Sequence, residues 1–127
     1  MEKIFYNNTL IAIRIKNFKN GIIPLTDPTQ PLQIIAHKRN VGSHTKAHTH
    51  KPMERTTQSL QECLVVLKGK IKVDFYTPAQ KLFKYIYVSA GQTIIFMNGG
   101  HAVHILEDTK LIEIKNGPFI EDRIFIQ

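Results

Sequence analysis

Residues 60–76 read LQECLVVLKGKIKVDFY, and their pattern decides the fold class. After Gly69, Ile71, Val73 and Phe75 alternate with Lys72, Asp74 and Tyr76. A period of two sends successive side chains to opposite faces of a sheet. Before Gly69, Leu60 to Lys68 is nearly continuous in apolar residues, so it reads as a strand with two apolar faces. Lys68-Gly69 supplies the turn between the two strands.

The same reading extends in both directions. Strand-like runs occupy Leu10 to Lys16, Leu32 to Lys38, Leu82 to Ser89, Gln92 to Met97, Ala102 to Glu107, Lys110 to Lys115 and Phe119 to Ile126. Turn residues separate them: Asp27-Pro28, Gly42-Ser43, Thr77-Pro78, Ala90-Gly91, Asn98-Gly99-Gly100, Glu107-Asp108 and Asn116-Gly117-Pro118. No window of about 11 residues carries a helical period. Nine or ten short strands in 127 residues predict one all-β domain, residues 1–127, built as a sandwich or barrel. The polar stretch Lys51 to Ser59 is the one long loop, and loops of that length are often functional.

Composition excludes several classes. At 43% hydrophobic and 21% charged residues the chain is a globular one, not a disordered one. No apolar run approaches the roughly 18 residues of a membrane helix, so no membrane partner is expected. Asn7 and Asn8 stand where a signal peptide would place its apolar centre, and the single cysteine, Cys63, has no internal partner; both point to the cytoplasm. The formal charge of +7 suits an anionic partner. Only four of the 17 basic residues are Arg, and Lys68, Lys70 and Lys72 alternate as a solvated strand face would, so the expected ligand is a small anionic molecule and no nucleic acid.

The six histidines fall in two groups, His37, His44, His48 and His50, then His101 and His104. His48-Thr49-His50 would place two imidazoles on one strand face about 6.5 Å apart, within reach of one metal ion. Glu62 shares strand parity with Leu64 and Val66, and a carboxylate on an apolar face must be paired, protonated or metal-bound. The opposite assignment, with Cys63, Val65 and Leu67 facing the core and Glu62 in solvent, is also open. His101 and His104 differ in parity, so one of them points inward; His101, directly after the double-Gly turn, is the expected one. His37 reads as an ordinary strand histidine, and Cys63 is assigned no chemistry.

Gly42, His48-x-His50, Glu62 and Gly69 together resemble the first motif of the cupins, and Gly91, Gly99-Gly100 and His101 resemble the second. The resemblance spans Gly42 to His104. It departs in the eleven residues between His50 and Glu62, where three or four are usual, in Met97 where a Pro is common, and in His101, one residue early. Glu54 sits at the usual short spacing, but Glu62 lies seven residues before Gly69 as the motif requires. The resemblance implies a double-stranded β-helix, the cupin jelly-roll barrel, with His48, His50, Glu62 and His101 holding a divalent metal. These nitrogen and oxygen donors would accept Fe, Mn, Ni, Cu or Zn.

On this reading Glu62 and His104 are the candidate catalytic groups, and Arg55, His44 and Glu54 the candidate substrate contacts at the barrel mouth. The function expected first is a metal-dependent cupin, an isomerase or oxygenase among the possibilities, acting on or binding a small anionic metabolite such as a sugar or nucleotide sugar. The second is a metal-free cupin resembling nucleotide-sugar ketoisomerases and epimerases, in which histidines move protons. A third is a non-catalytic ligand-binding or sensor module. A homodimer is expected, paired through an N-terminal edge strand at Leu10 to Lys16.

Overall fold

The alternating pattern becomes ten strands in a computed structural model that describes residues 1–127: β1 (Glu2–Tyr6), β2 (Thr9–Ile15), β3 (Gly21–Pro24), β4 (Ile35–Lys38), β5 (Glu62–Lys68), β6 (Lys70–Tyr76), β7 (Leu82–Ser89), β8 (Thr93–Phe96), β9 (Gly100–Ile105) and β10 (Lys110–Lys115). Every pairing is antiparallel. Three sheets result, ordered β1-β2-β8-β5-β10, β7-β6-β9 and β3-β4. The chain is all-β, and no helix is long and apolar enough to cross a membrane. The sheets stack as layers with open edges at β1, β10, β7 and β9; the expected closure into a barrel is not present.

The five-stranded sheet is the middle layer, which is why its strands are apolar on both faces. One face sets Leu64, Val66, Ile94 and Phe96 against Ile71, Val73, Phe75, Ile86 and Val88 of the three-stranded sheet. The other sets Ile13, Ile15, Cys63, Ile95 and Met97 against Leu25, Leu32 and Ile34. The two parities of β5 therefore both face apolar layers, and Glu62 lies on the side of Leu64 and Val66.

A bulge in β2 changes one part of the strand reading. Its register with β1 runs from Ile4↔Ala12 to Phe5↔Leu10 and leaves Ile11 as an extra residue. Such an insertion flips the faces of everything beyond it. Ile11 accordingly joins Ala12 between the sheets, while Leu10, Ile13 and Ile15 pack on the other face. The unpaired geometry is used: the Ile11 carbonyl accepts from the backbone N–H of Met97 at 2.8 Å and of Asn98 at 3.2 Å.

Three further expectations need correction. Leu10 to Lys16 is not an edge, because β2 lies between β1 and β8. Phe119 to Ile126 forms no strand despite its apolar content, since no sheet edge of the chain pairs with it. His48 and His50 are not on a strand either; residues 39–61 carry none, and Lys46, Lys51 and Pro52 keep the segment polar and interrupted. The short strands β1 and β3 were not legible, because Ile4 is the only buried residue of β1 and β3 has none.

Gly69 makes the β5–β6 turn with φ of +89°, and a Cβ there would strike Thr109 Oγ1 and lie 2.5 Å from the carbonyl oxygen of Asp108. Both the left-handed backbone and the close approach require glycine. Gly69→Ala is expected to lower stability by roughly 1–3 kcal/mol in urea denaturation. A loss below about 0.5 kcal/mol would show that the turn is not held this tightly.

Candidate functional site: a carboxylate and an imidazole meeting between the sheets

Glu62 opens β5, with Phe96 of β8 as its register partner on one side and Lys115 of β10 on the other. His101 comes from the other sheet, opposite the buried Phe75 of β6. The two meet with His101 Nε2 3.2 Å from Glu62 Oε2, and their side chains are 26% and 15% exposed. The Phe96 ring stacks on the imidazole with centroids 3.7 Å apart and planes 8° from parallel. The imidazole is thus fixed by a flat apolar surface on its face and a carboxylate at its edge.

The adjacent chain holds Glu62 in place. Gln61 is buried; its side chain accepts from Leu32 N–H at 3.2 Å and donates to Gln30 Oε1 at 2.7 Å. Its backbone N–H donates to Asn116 Oδ1 at 2.9 Å. The Asn116 amide donates in turn to Thr57 Oγ1 and the Ser59 carbonyl, both at 3.1 Å, which ties the end of β10 to the segment entering β5. Gln61 and Asn116 escaped the sequence reading because an amide beside a turn carries no chemical signature of its own.

Glu113 was missed as well, although the alternation of Leu111, Glu113 and Lys115 against Ile112 and Ile114 in β10 puts it on the Glu62 side. His101 lowers the pKa of Glu62, burial opposes the shift, and Glu113 and Lys115 assist in lowering it. A cavity of about 260 Å³ opens beside this end of β10, lined by Ser59, Leu60, Lys115, Asn116, Phe119 and five others of residues 57–122 together with Thr57.

The remaining candidates lie elsewhere. His48 and His50 are exposed, with ring centroids 5.0 Å apart, and His48 Nδ1 lies 2.7 Å from the Lys46 carbonyl oxygen. His44 and Glu54 are exposed on the same segment, and Arg55 donates to the Met53 carbonyl at 3.3 Å. The four expected metal ligands therefore stand as two pairs, and no three His, Cys, Asp or Glu side chains converge.

His104 faces outward, its Nε2 2.7 Å from Asp74 Oδ2, with Lys72 Nζ 3.2 Å from Oδ1. Burial pushes the Asp74 carboxyl up, but His104 and Lys72 outweigh it and the net shift is downward. His37 is an exposed residue of β4. Burial pushes the Cys63 thiol up to about 11, which leaves it without thiolate character at neutral pH.

No protein-family model, curated protein or solved structure matches this chain.

Two outcomes follow from the pair. His101→Ala removes both the partner of a largely buried carboxylate and the Phe96 stack, and should destabilise the fold by about 1–3 kcal/mol in denaturant titration. Loss of less than about 0.5 kcal/mol would show the pair to be open to water. Because the folded pKa of Glu62 lies below its unfolded value near 4.5, the native state binds fewer protons there. That stability is present above the unfolded pKa and is lost as pH falls through the folded one. In chelator-treated protein the stability gap between wild type and Glu62→Gln should shrink from about pH 6 to about pH 3; a gap that widens on acidification would contradict the assignment.

Proposed function

We propose that the chain is a metal-binding protein of the cupin jelly-roll type that binds or acts on a small anionic metabolite, such as a sugar or nucleotide sugar. The observation that carries this reading is the contact of Glu62 with His101, two residues that the cupin resemblance names as partners and that come from different sheets. Their chemistry fits the implied group. Imidazole nitrogen and carboxylate oxygen, with Cys63 on the opposite face of β5, form a donor set for Fe, Mn, Ni, Cu or Zn.

Glu62 and His101 would hold the ion together with His48 and His50, which requires the strandless segment 39–61 to lie over the inner pair. When bound, such an ion supplies Lewis acidity toward a carbonyl or a coordination position for a substrate oxygen. The protein contributes orientation: Phe96 keeps the imidazole plane fixed, and burial between the sheets limits competition from water. Arg55 suits the anionic end of the ligand, because its guanidinium grips carboxylate or phosphate bidentately.

The same contact favours a second reading, metal-free proton transfer in the manner of a nucleotide-sugar ketoisomerase or epimerase. Here His101 would take the proton from the hydroxyl-bearing carbon beside a carbonyl, giving an enediol, and return it to the former carbonyl carbon while the hydroxyl proton passes to the former carbonyl oxygen, with Glu62 stabilising the imidazolium. Elemental analysis of protein purified without chelator or metal-affinity tag separates the two. The metal reading expects about one divalent ion per chain, and sharply lower occupancy in His101→Ala and in the His48→Ala, His50→Ala double variant, with a lower Tm. Protein that contains no metal and takes up none on titration would overturn the metal reading.

A further inference from the structure

The outer face of the three-stranded sheet takes no part in the Glu62–His101 site. Ile71, Val73, Phe75, Ile86 and Val88 turn inward to the core, so Lys70, Lys72 and Asp74 of β6, Tyr85 and Tyr87 of β7 and His104 of β9 turn outward. The register sets them in rows: Tyr87, Lys72 and His104 lie abreast, with Tyr85, Asp74 and Ala102 in the next row. Ile126 packs at the Gly100 end of this face and leaves the two rows uncovered. His101 and His104 differ in parity and stand on opposite faces of β9.

Aromatic rings and ammonium groups interleave here. Tyr85 and Tyr87 are 55% and 45% exposed, and their rings meet edge to face with centroids 5.8 Å apart. Lys72 Nζ lies 4.6 Å from the Tyr85 centroid, and Lys70 Nζ 4.8 Å from that of Tyr87. Each ring thus has one cation beside it. Lys70 and Lys72 alternate in sequence as a solvated strand face would, and on that pattern alone no nucleic acid is expected. The tyrosines beside them come from another strand, which the pattern does not show.

Charge and shape identify the occupant. Residues 68–89 hold five lysines, Lys68, Lys70, Lys72, Lys81 and Lys84, against the single acid Asp74, a net +4 within a chain of +7. Asp74 is buried and already paired with His104 and Lys72. An acidic polypeptide would use the lysines but does not call for two adjacent rings. A duplex brings phosphates while its bases stay stacked inside it. A single strand brings one phosphate and one unstacked base per unit, the pairing that these lysines and tyrosines match. The Lys–Tyr contacts do not block it, because cation–π contacts at exposed sites are weak, a stacked base is worth more, and each released ammonium meets a phosphate.

We propose that this face binds single-stranded nucleic acid, with bases stacked on Tyr85 and Tyr87 and phosphates held by Lys70 and Lys72. Stacking accepts every base, so binding is sequence-tolerant and falls with salt. The inference stands apart from the metal and proton-transfer readings, since it shares no residue with them.

Fluorescence anisotropy with labelled oligothymidylate and oligouridylate of about 12 nucleotides, at about 50 mM salt, tests it. Binding should be tighter than to a duplex of the same length, and the tighter of the two oligonucleotides identifies the sugar. Tyr85→Ala and Tyr87→Ala should each weaken binding about fivefold or more with an unchanged far-ultraviolet spectrum, while Tyr85→Phe and Tyr87→Phe keep it. Lys70→Gln, at a residue bound to no carboxylate, should lower the slope of log K against log salt by about 0.7. No binding at tens of micromolar, a duplex bound as tightly, or alanine variants that bind as wild type overturns the proposal. The wild-type chain has four Tyr and no Trp, so its own emission gives a test without substitution. Saturation with oligothymidylate should quench the tyrosine fluorescence, and unchanged emission overturns the stacking.

Discussion

A carboxylate placed between two apolar layers must be compensated, and in this protein the compensation spans the layers. Glu62 belongs to the five-stranded sheet and His101 to the three-stranded one, so their contact is possible only when the sheets are stacked at the right separation and register. An unpaired charge in that position would work against the sandwich. The packing of Phe96 against the imidazole, the amide links of Gln61 and Asn116, and the lowered pKa of Glu62 all follow from the same requirement.

The middle layer explains why the chain can meet that requirement. β2, β8 and β5 are covered on both faces, by the three-stranded sheet on one side and by Leu25, Leu32 and Ile34 on the other. Rigid strands, not loops, therefore position Glu62 and Phe96. His101 sits just beyond Gly99, whose φ of +74° and close approach to the Tyr76 carbonyl leave no room for a Cβ, so the turn delivers the imidazole at a fixed point on β9. The histidines of segment 39–61 have no such support, and the structure contains them as a separate exposed pair.

The legible parts of the fold were those where burial imposes a period. Ile71, Val73 and Phe75 announced β6, and the apolar run of Leu64 to Leu67 announced β5. Glu62 stood out as a carboxylate whose parity sets it with Leu64 and Val66, and His101 by its place directly after the double-Gly turn. The bulge at Ile11 was not legible, because an extra residue leaves the apolar content unchanged while reversing the faces. The tail from Phe119 to Ile126 read as a strand on composition, yet pairing depends on an available edge, which composition does not encode. Segment 39–61 was read as partly strand because HxH has a strand-like parity; Lys46, Lys51 and Pro52 supply no apolar alternation to hold it to a sheet.

The central claim is that Glu62 and His101 are energetically coupled across the two sheets. A double-mutant cycle with Glu62→Gln and His101→Ala, read by denaturant unfolding of chelator-treated protein near neutral pH, tests it directly. Coupling of about 1 kcal/mol or more is the expected result. Additivity within about 0.3 kcal/mol would mean that the two side chains do not meet in solution, and the account of the site would fail.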